Sequence, residues 1–407
     1  MSTMFNFKVG DDNGNSEHDI YINGEVIKQP NVFAKMRILP TNLEEINPEF
    51  VIKNIASNLL ITIDSPSCKP GIYFIGQYAL TSGNPISNIE VGVDNNKLDS
   101  DIVIVNTVGQ IAGYAVQKAY EKLKGKIEDT DIICNVDMTT ALPIKQYSRE
   151  KALQFANKFT CGKHKVTVHV STQRINVEVK FKFVKVIPEG VTAVHALQNI
   201  TEAEKDIFED FNKKYKKQIS DGSYFKNKKI LHIAIGEGTT EYPVTDDIKF
   251  NPTFIYGSNN GVGHAIDNAL PEFMDSNGLL NYTRQNYSEV LRNEEHKYHD
   301  SAKEIIAGYL DNQAEEILHN AKNQVQRANN DIDIIAVYGG GSIPMKNTLY
   351  DKLDAMCEKS KIELFYVPEK YAVILEALGM YYFTKGDIFA KLKQMSEAPE
   401  TEAAATK

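Results

Sequence analysis

The chain has 407 residues, 42% hydrophobic and 24% charged, which fits a soluble globular protein of two to three domains. Lys and Arg total 45 against 54 Asp and Glu, so the net charge is −9 and a direct nucleic-acid surface is not expected. No apolar run reaches the ~18 residues of a membrane span, no signal-peptide core opens the sequence, and Cys68, Cys134, Cys161 and Cys357 lack CxxC spacing, which favours free thiols in a reducing cytoplasm.

Residues 5–9 read as a short strand, Gly10-Asp11-Asp12-Asn13-Gly14-Asn15-Ser16 as a polar turn, and residues 19–23 as a returning strand. Residues 38–100 mix short strands (61–63, 71–75, 89–93) with Pro40, Pro48, Pro66, Pro70 and Pro85; such punctuation argues against long helices and predicts a small inserted subdomain. Residues 102–120 open as a strand and continue as an amphipathic helix. Residues 131–136 form a buried strand, followed by Asp137-Met138-Thr139-Thr140. Residues 148–159 are helical, with Ser148 as N-cap. Residues 165–170 and 175–187 alternate as an antiparallel pair. Asn176, Glu178, Lys180 and Lys182 share one face; Val177, Val179, Phe181 and Phe183 share the other. Glu189 then starts a helix over 191–197, where the helix dipole accounts for an acid as readily as a catalytic role does.

Lys213, Lys214, Lys216 and Lys217 cluster on a polar stretch that reads as a solvated helix face. Residues 230–234 are a buried strand ending in Gly236-Glu237-Gly238-Thr239-Thr240, and 241–245 can run back beside it. Glycines permit a tight turn there, and its successive N–H groups form a cradle for phosphate. Glu237 would repel a bare phosphate, so a hard cation or polarised water is expected between them. Residues 260–273 feed a helix, and long helical patterns cover 287–327. His296 and His299, three apart, fit exposed helix histidines better than metal ligands. Residues 332–337 are a strand ending in Tyr338-Gly339-Gly340-Gly341-Ser342, with a helix beyond Pro344; the glycines allow close approach of a flat or anionic group. Residues 347–362 are a helix and turn, and 395–407 a disordered tail.

This order of two phosphate hairpins and a triple-glycine turn resembles the actin-like ATPase superfamily over roughly residues 5–385. Asp12-Asn13-Gly14 resembles its first phosphate motif, Gly236-Glu237-Gly238-Thr239-Thr240 its second and Gly339-Gly340-Gly341-Ser342 its adenosine motif. Val186-Ile187-Pro188-Glu189-Gly190 falls where plasmid-segregating actins of the ParM type carry a Pro-Glu. Ile255-Tyr256-Gly257 with Gly261-Val262-Gly263 is similar to a ParM nucleotide-binding segment, and residues 371–381 to its closing helix.

The resemblance implies an α/β fold of two ribonuclease-H-like domains flanking a nucleotide cleft. The first would span 1–190, with an inserted subdomain at about 38–100 supplying subunit contacts and a helix at 370–390 returning to it; the second would span 191–369, with an insertion at about 259–325. It implies ATP or ADP with magnesium, contacted by Asp12, Asn13, Gly14, Asn15, Ser16, Gly236, Gly238, Thr239, Thr240, Gly261, Gly339, Gly340, Gly341 and Ser342, with Asp12 at the metal. Glu189 would orient the water that attacks the γ-phosphate, and Glu237 would assist it. It also implies self-assembly into filaments, a bacterial cytoplasmic location, and a ParR-like adaptor that joins filament ends to centromere-like plasmid DNA. A small-molecule kinase of the same superfamily is an alternative without a visible substrate base. A chaperone-type ATPase is another, for which the stretch after Thr384 leaves no room.

Two departures stand out. The lysine usual in the first hairpin is missing: its slot falls near Asp19, leaving His18 or a remote Lys35 as candidates. The acid that commonly opens the second hairpin is Ala234, so slow turnover is expected, and Ala234→Asp should raise phosphate release ~10- to 100-fold.

Overall fold

The computed structural model describes residues 2–41, 47–89, 96–127 and 130–397. Strand β1 (Ser2–Asn13) turns at residues 14–16 into β2 (Glu17–Ile22), with Asp12 opposite Asp19 and Asn13 opposite His18. The first strand therefore runs four residues beyond the predicted end at Val9. Gly10 sits inside it because helix Leu375–Lys385 crosses there: a Cβ at Gly10 would collide with the backbone of Ala377 and Tyr381.

The first sheet continues through β3 (Glu25–Pro30), β4 (Val32–Met36), β5 (Leu60–Asp64), β6 (Gly71–Ile75) and β7 (Ser87–Asn88). It is completed by β8 (Asp131–Leu142), β9 (His164–Val170) and β10 (Gln173–Pro188). Among the described residues it has ten strands in the order β3-β2-β1-β8-β10-β9-β5-β6-β4-β7. At its centre β8 runs parallel to both β1 and β10. The strands of the predicted insertion extend this sheet at its far edge through the β9–β5 pairing. The strand expected at 89–93 lies almost wholly outside the described residues.

Helix Asp101–Lys122 covers one face of this sheet and is helical from its first residue, capped by Ser100. The predicted opening strand is thus corrected: the β-branched run of Ile102, Val103, Ile104 and Val105 is fully buried as a helix, and tertiary burial outweighs the small propensity cost of such residues. Each such side chain removed from water contributes about 1.5–3 kcal/mol. In β10 the register shifts between Phe181 and Phe183. Phe183 therefore leaves the face it was expected to share with Phe181 and packs on Phe389, ring centroids 5.1 Å apart.

The second sheet comprises β11 (Lys229–Ile235), β12 (Thr240–Glu241), β13 (Val244–Asp246), β14 (Lys249–Phe250), β15 (Gly257–Ser258), β16 (Ile334–Tyr338) and β17 (Glu363–Tyr366). Strands β11, β16 and β17 are parallel, while β12 and β13 fold back on β11. Helices Val262–Ser276, Arg284–Arg292, His299–Arg327 and Ser342–Ser360 flank it and share its apolar core. Pro344 lies in the first turn of the last of these rather than before it, where a missing N–H costs nothing.

Helix Leu375–Lys385 returns to the first sheet, where Thr384 Oγ1 donates to Val9 O at 2.9 Å. Helix Asp387–Glu397 follows, so residues 395–397 are helical where a disordered tail is expected to start; residues 398–407 lie outside the described residues. The four cysteines are free. Among the described residues no helix is long and apolar enough to cross a membrane.

Candidate active site

One cleft gathers most of the residues singled out by the sequence. The β1–β2 hairpin contributes Asp12, Gly14, Asn15 and Ser16; the β11–β12 hairpin contributes Gly236, Glu237, Gly238 and Thr239; the triple-glycine turn contributes Gly339 and Gly340. Glu189 lines it from the end of β10. The remaining predicted residues stand behind these loops and hold their shape. Asn13 accepts from Asn31 at 2.6 Å and donates to Thr107 at 3.2 Å. Thr240 donates to Asn260 O at 2.8 Å, and Ser342 to Gly339 O at 2.7 Å. Gly261 backs onto the Glu237 carbonyl, and Gly341 onto Ile235 and Gly236.

The tip of the second hairpin is pinned to the start of helix Val262–Ser276: Val262 N donates to Gly236 O at 3.0 Å and Gly263 N to Glu237 O at 2.8 Å. The triple-glycine turn is pinned in the same way, with Gly341 N donating to Ile235 O at 2.9 Å. Gly339 has φ +93°, a left-handed conformation that disfavours side chains. Gly340 differs from its neighbours, because its nearest prospective contact is Glu17 Oε2 at 3.9 Å across open cleft.

Glu189 does not begin a helix. It follows the last residue of β10, Pro188, and the next helix is Ala193–Gln198. The helix dipole therefore gives no reason for an acid at this position. Its backbone N donates to Leu142 O at 2.9 Å, and Gly190 makes the turn at φ +81°. Its Oε1 accepts from Lys97 Nζ at 2.9 Å. Lys97 lies on the short helix Asn96–Asp99 and is 1% exposed.

The floor of the cleft is acidic. Burial pushes Asp12 up to about 7; Lys97 pulls against this, while Glu189 and Asp11 push further. Asp19, on the opposite strand, is raised well above the carboxylate range by burial and by Glu17 and Asp12. Glu241 and Glu376 also line the cleft, both raised by burial first and then by neighbouring carboxylates. Thr239 and Ile144 lie near Glu241, and Gly190 near Glu376. Among the described residues, however, none makes a well-formed hydrogen bond to either oxygen of these two acids. Buried acids left unsatisfied in this way are costly unless a cation or donor meets them.

Glu237 occupies the other side of the site. Its carboxyl lies near Ser16 across the cleft and near Arg284 and Arg292. Arg292 Nη1, on helix Arg284–Arg292, also bridges to Glu17 Oε1 of the first hairpin at 2.9 Å.

Neither candidate for the missing hairpin lysine enters the cleft. His18 Nε2 is 2.8 Å from Asp11 Oδ1 in the interior, and Lys35 lies over the Tyr73 ring, 5.3 Å from its centroid. Lys214 and Lys217 are paired with Asp354 and Glu363. His299 faces Val290 O at 3.0 Å. Lys97, Glu241 and Glu376 are the site residues that reading the sequence missed. Glu241 had a usable signal, since a returning strand places its side chains beside those of the outgoing strand. Lys97 had none, since nothing local marks it as buried.

Among the described residues no three acids, histidines or cysteines are placed to ligate a metal directly. Magnesium retains several waters and takes one or two carboxylates plus substrate phosphates. Asp12, with the unsatisfied oxygens of Glu241 and Glu376, fits that mode.

Residues 12–191 match the family model described as actin like proteins N terminal domain. The solved structure of actin-like protein Alp7A superposes with a TM-score of 0.66, covering 97% of this chain and 100% of that one at 16% identity. The chain has the actin-like fold. Two other actin-like neighbours agree: Bacillus thuringiensis ParM with ATP (TM-score 0.58, 15% identity, 95% and 99% covered) and a non-polymerisable quadruple mutant of pCBH ParM (0.60, 17%, 94% and 99%). No curated protein sequence matches the chain.

Proposed function

We propose that this actin-like chain is a ParM-like ATPase that binds ATP with magnesium, polymerises, and hydrolyses the nucleotide within the filament. The observation that supports it is the meeting of two glycine hairpins from different sheets over Glu189, with Gly340 open to the same cleft. Asn15, Ser16, Gly238 and Thr239 would hold the phosphates, and Gly340 would lie against the adenosine. Asp12 would hold the magnesium through water. When bound, magnesium would neutralise phosphate charge that the acids of this cleft would otherwise repel. Glu189 would orient the attacking water, and Glu237 would tie the hairpins together while they close. Positioning and charge stabilisation are most of the work in phosphoryl transfer.

Because hairpins of both sheets contact one ligand, the terminal phosphate favours the closed arrangement by its differential affinity for it. Filament growth follows that closure. The net charge of −9 favours reaching DNA through a ParR-like adaptor in the bacterial cytoplasm, and plasmid segregation is the role in which such a filament serves.

Sedimentation and light scattering test the reading. ATP or a slowly hydrolysed analogue with magnesium should pellet the protein and raise scattering, and ADP should do so less. Equal scattering with ATP and ADP would sink the nucleotide switch. A sugar-stimulated ATPase without pelleting would instead identify a kinase.

A further inference from the structure

An acidic cleft needs cations to receive a triphosphate, and Glu189 is one of the acids that line it. Among the described residues that line the cleft there is no Lys or Arg. A buried cation reaches one of its acids from elsewhere in the chain. Lys97, on the helix Asn96–Asp99, reaches Glu189 with its Nζ 2.9 Å from Oε1, and its side chain is 2% exposed. Burial draws its pKa down, but the charges of Glu189 and Asp12 outweigh this and hold the ammonium protonated. Burying a lysine this deeply is expensive unless anions surround it, and Glu189 and Asp12 of the proposed phosphate site are among those anions.

We propose that Lys97 is the cation that contacts the terminal phosphate of the bound nucleotide, and that its ion pair with Glu189 is the resting form of the cleft. This rests on the nucleotide reading above. The lysine missing from the first hairpin is thereby supplied by the segment ahead of helix Asp101–Lys122. A terminal phosphate is a stronger partner for an ammonium than one carboxylate, because it offers more charge and more acceptor oxygens. On its arrival Lys97 passes from Glu189 to the phosphate, and the Glu189 carboxylate is left to accept from water. A nucleoside diphosphate lacks that group and leaves the pair intact. The pair is thus a sensor for the third phosphate.

The test is a magnesium-containing titration of a fluorescent, slowly hydrolysed ATP analogue and of the matching ADP. It uses the full chain, Lys97→Met, Lys97→Arg, Glu189→Gln and the double variant Lys97→Met/Glu189→Gln. A hydrogen bond to a charged group accounts for roughly a tenfold or greater change in affinity. Lys97→Met should weaken the ATP analogue by about tenfold or more and ADP by less than about threefold, with Lys97→Arg restoring most of the difference. The double variant removes both charges, so it avoids a buried unpaired Glu189, and it should still prefer ADP when compared with Glu189→Gln alone. If the double variant binds both nucleotides as Glu189→Gln does, Lys97 only holds Glu189 and the proposal is overturned. Equal losses for ATP and ADP in Lys97→Met overturn it too. If the unmodified chain binds neither nucleotide, the nucleotide reading itself fails and takes this proposal with it.

Discussion

Ala234 stands directly across the second hairpin from Glu241, so the two side chains leave the sheet on the same face. Where β11 lacks an acid, β12 thus presents one beside that position, in the same cleft, 2% exposed and without a well-formed hydrogen bond among the described residues. Glu241→Gln should therefore slow phosphate release ~10- to 100-fold, the effect of one positioned acid–base group. Ala234→Asp alone should change it little, since a second carboxylate beside Glu241 raises the pKa of both. Ala234→Asp/Glu241→Gln should recover much of the loss. Phosphate release under polymerising conditions measures all three; a large gain from Ala234→Asp alone would mean that Glu241 does no such work.

Glu189→Gln should cut phosphate release by at least ~100-fold while leaving assembly with ATP intact. Filaments of the variant should persist after ATP is supplied. Stopped-flow phosphate release and scattering decay report the two effects separately. Turnover at the parental rate would remove Glu189 from the hydrolytic step.

The glycines of the triple turn should behave differently from one another. Gly340 faces open cleft, so Gly340→Val should fold normally and lose nucleotide affinity by more than about tenfold, the equivalent of ~1.4 kcal/mol. Gly339 has φ +93° and its Cβ would strike Ile235, so Gly339→Ala should lower stability by about 1–3 kcal/mol. Thermal melts and fluorescent-nucleotide titrations distinguish these outcomes. Unchanged affinity in Gly340→Val would place the base elsewhere.

The acids of the cleft set a pH dependence. Asp12 is raised from 3.8 to about 7, so between those values the folded chain keeps a proton that the unfolded chain has lost. Its contribution to stability is full below about 4 and is lost as pH rises through 7. Without nucleotide or metal, Asp12→Asn should melt higher than the parent at pH 8. Magnesium must displace the proton, so its stabilising effect on the parent should be larger at pH 8 than at pH 6 and smaller in Asp12→Asn. Calorimetry at the two pH values checks this. Equal magnesium effects in parent and variant would separate Asp12 from the metal.

Much of this architecture is legible in the residues themselves. The β9–β10 alternation, the Ser148 cap with Lys151 N donating to it at 3.1 Å, and the strand into the triple-glycine turn follow from local pattern. The misreadings share a cause. Residues 102–105 look like a strand and Gly10 looks like a turn because each conformation is imposed by a distant segment: the buried sheet face in one case, helix Leu375–Lys385 in the other. The same holds in the site. Its glycine loops are local signals, whereas Lys97 meets Glu189 across ninety-two positions of sequence.

Helix Leu375–Lys385 has a consequence for the order of biosynthesis. It lies on Gly10, bonds Val9 through Thr384, and brings Glu376 into the cleft. The first hairpin is translated well ahead of the helix that clamps it, since Val9 and Thr384 lie 375 positions apart. Contacts of such sequence separation form slowly. A ribosome-tethered chain can thus assemble much of its first sheet, yet it cannot complete the cleft until translation has passed Lys385. On the proposed function, subunits still under synthesis would thereby be kept from joining a growing polymer.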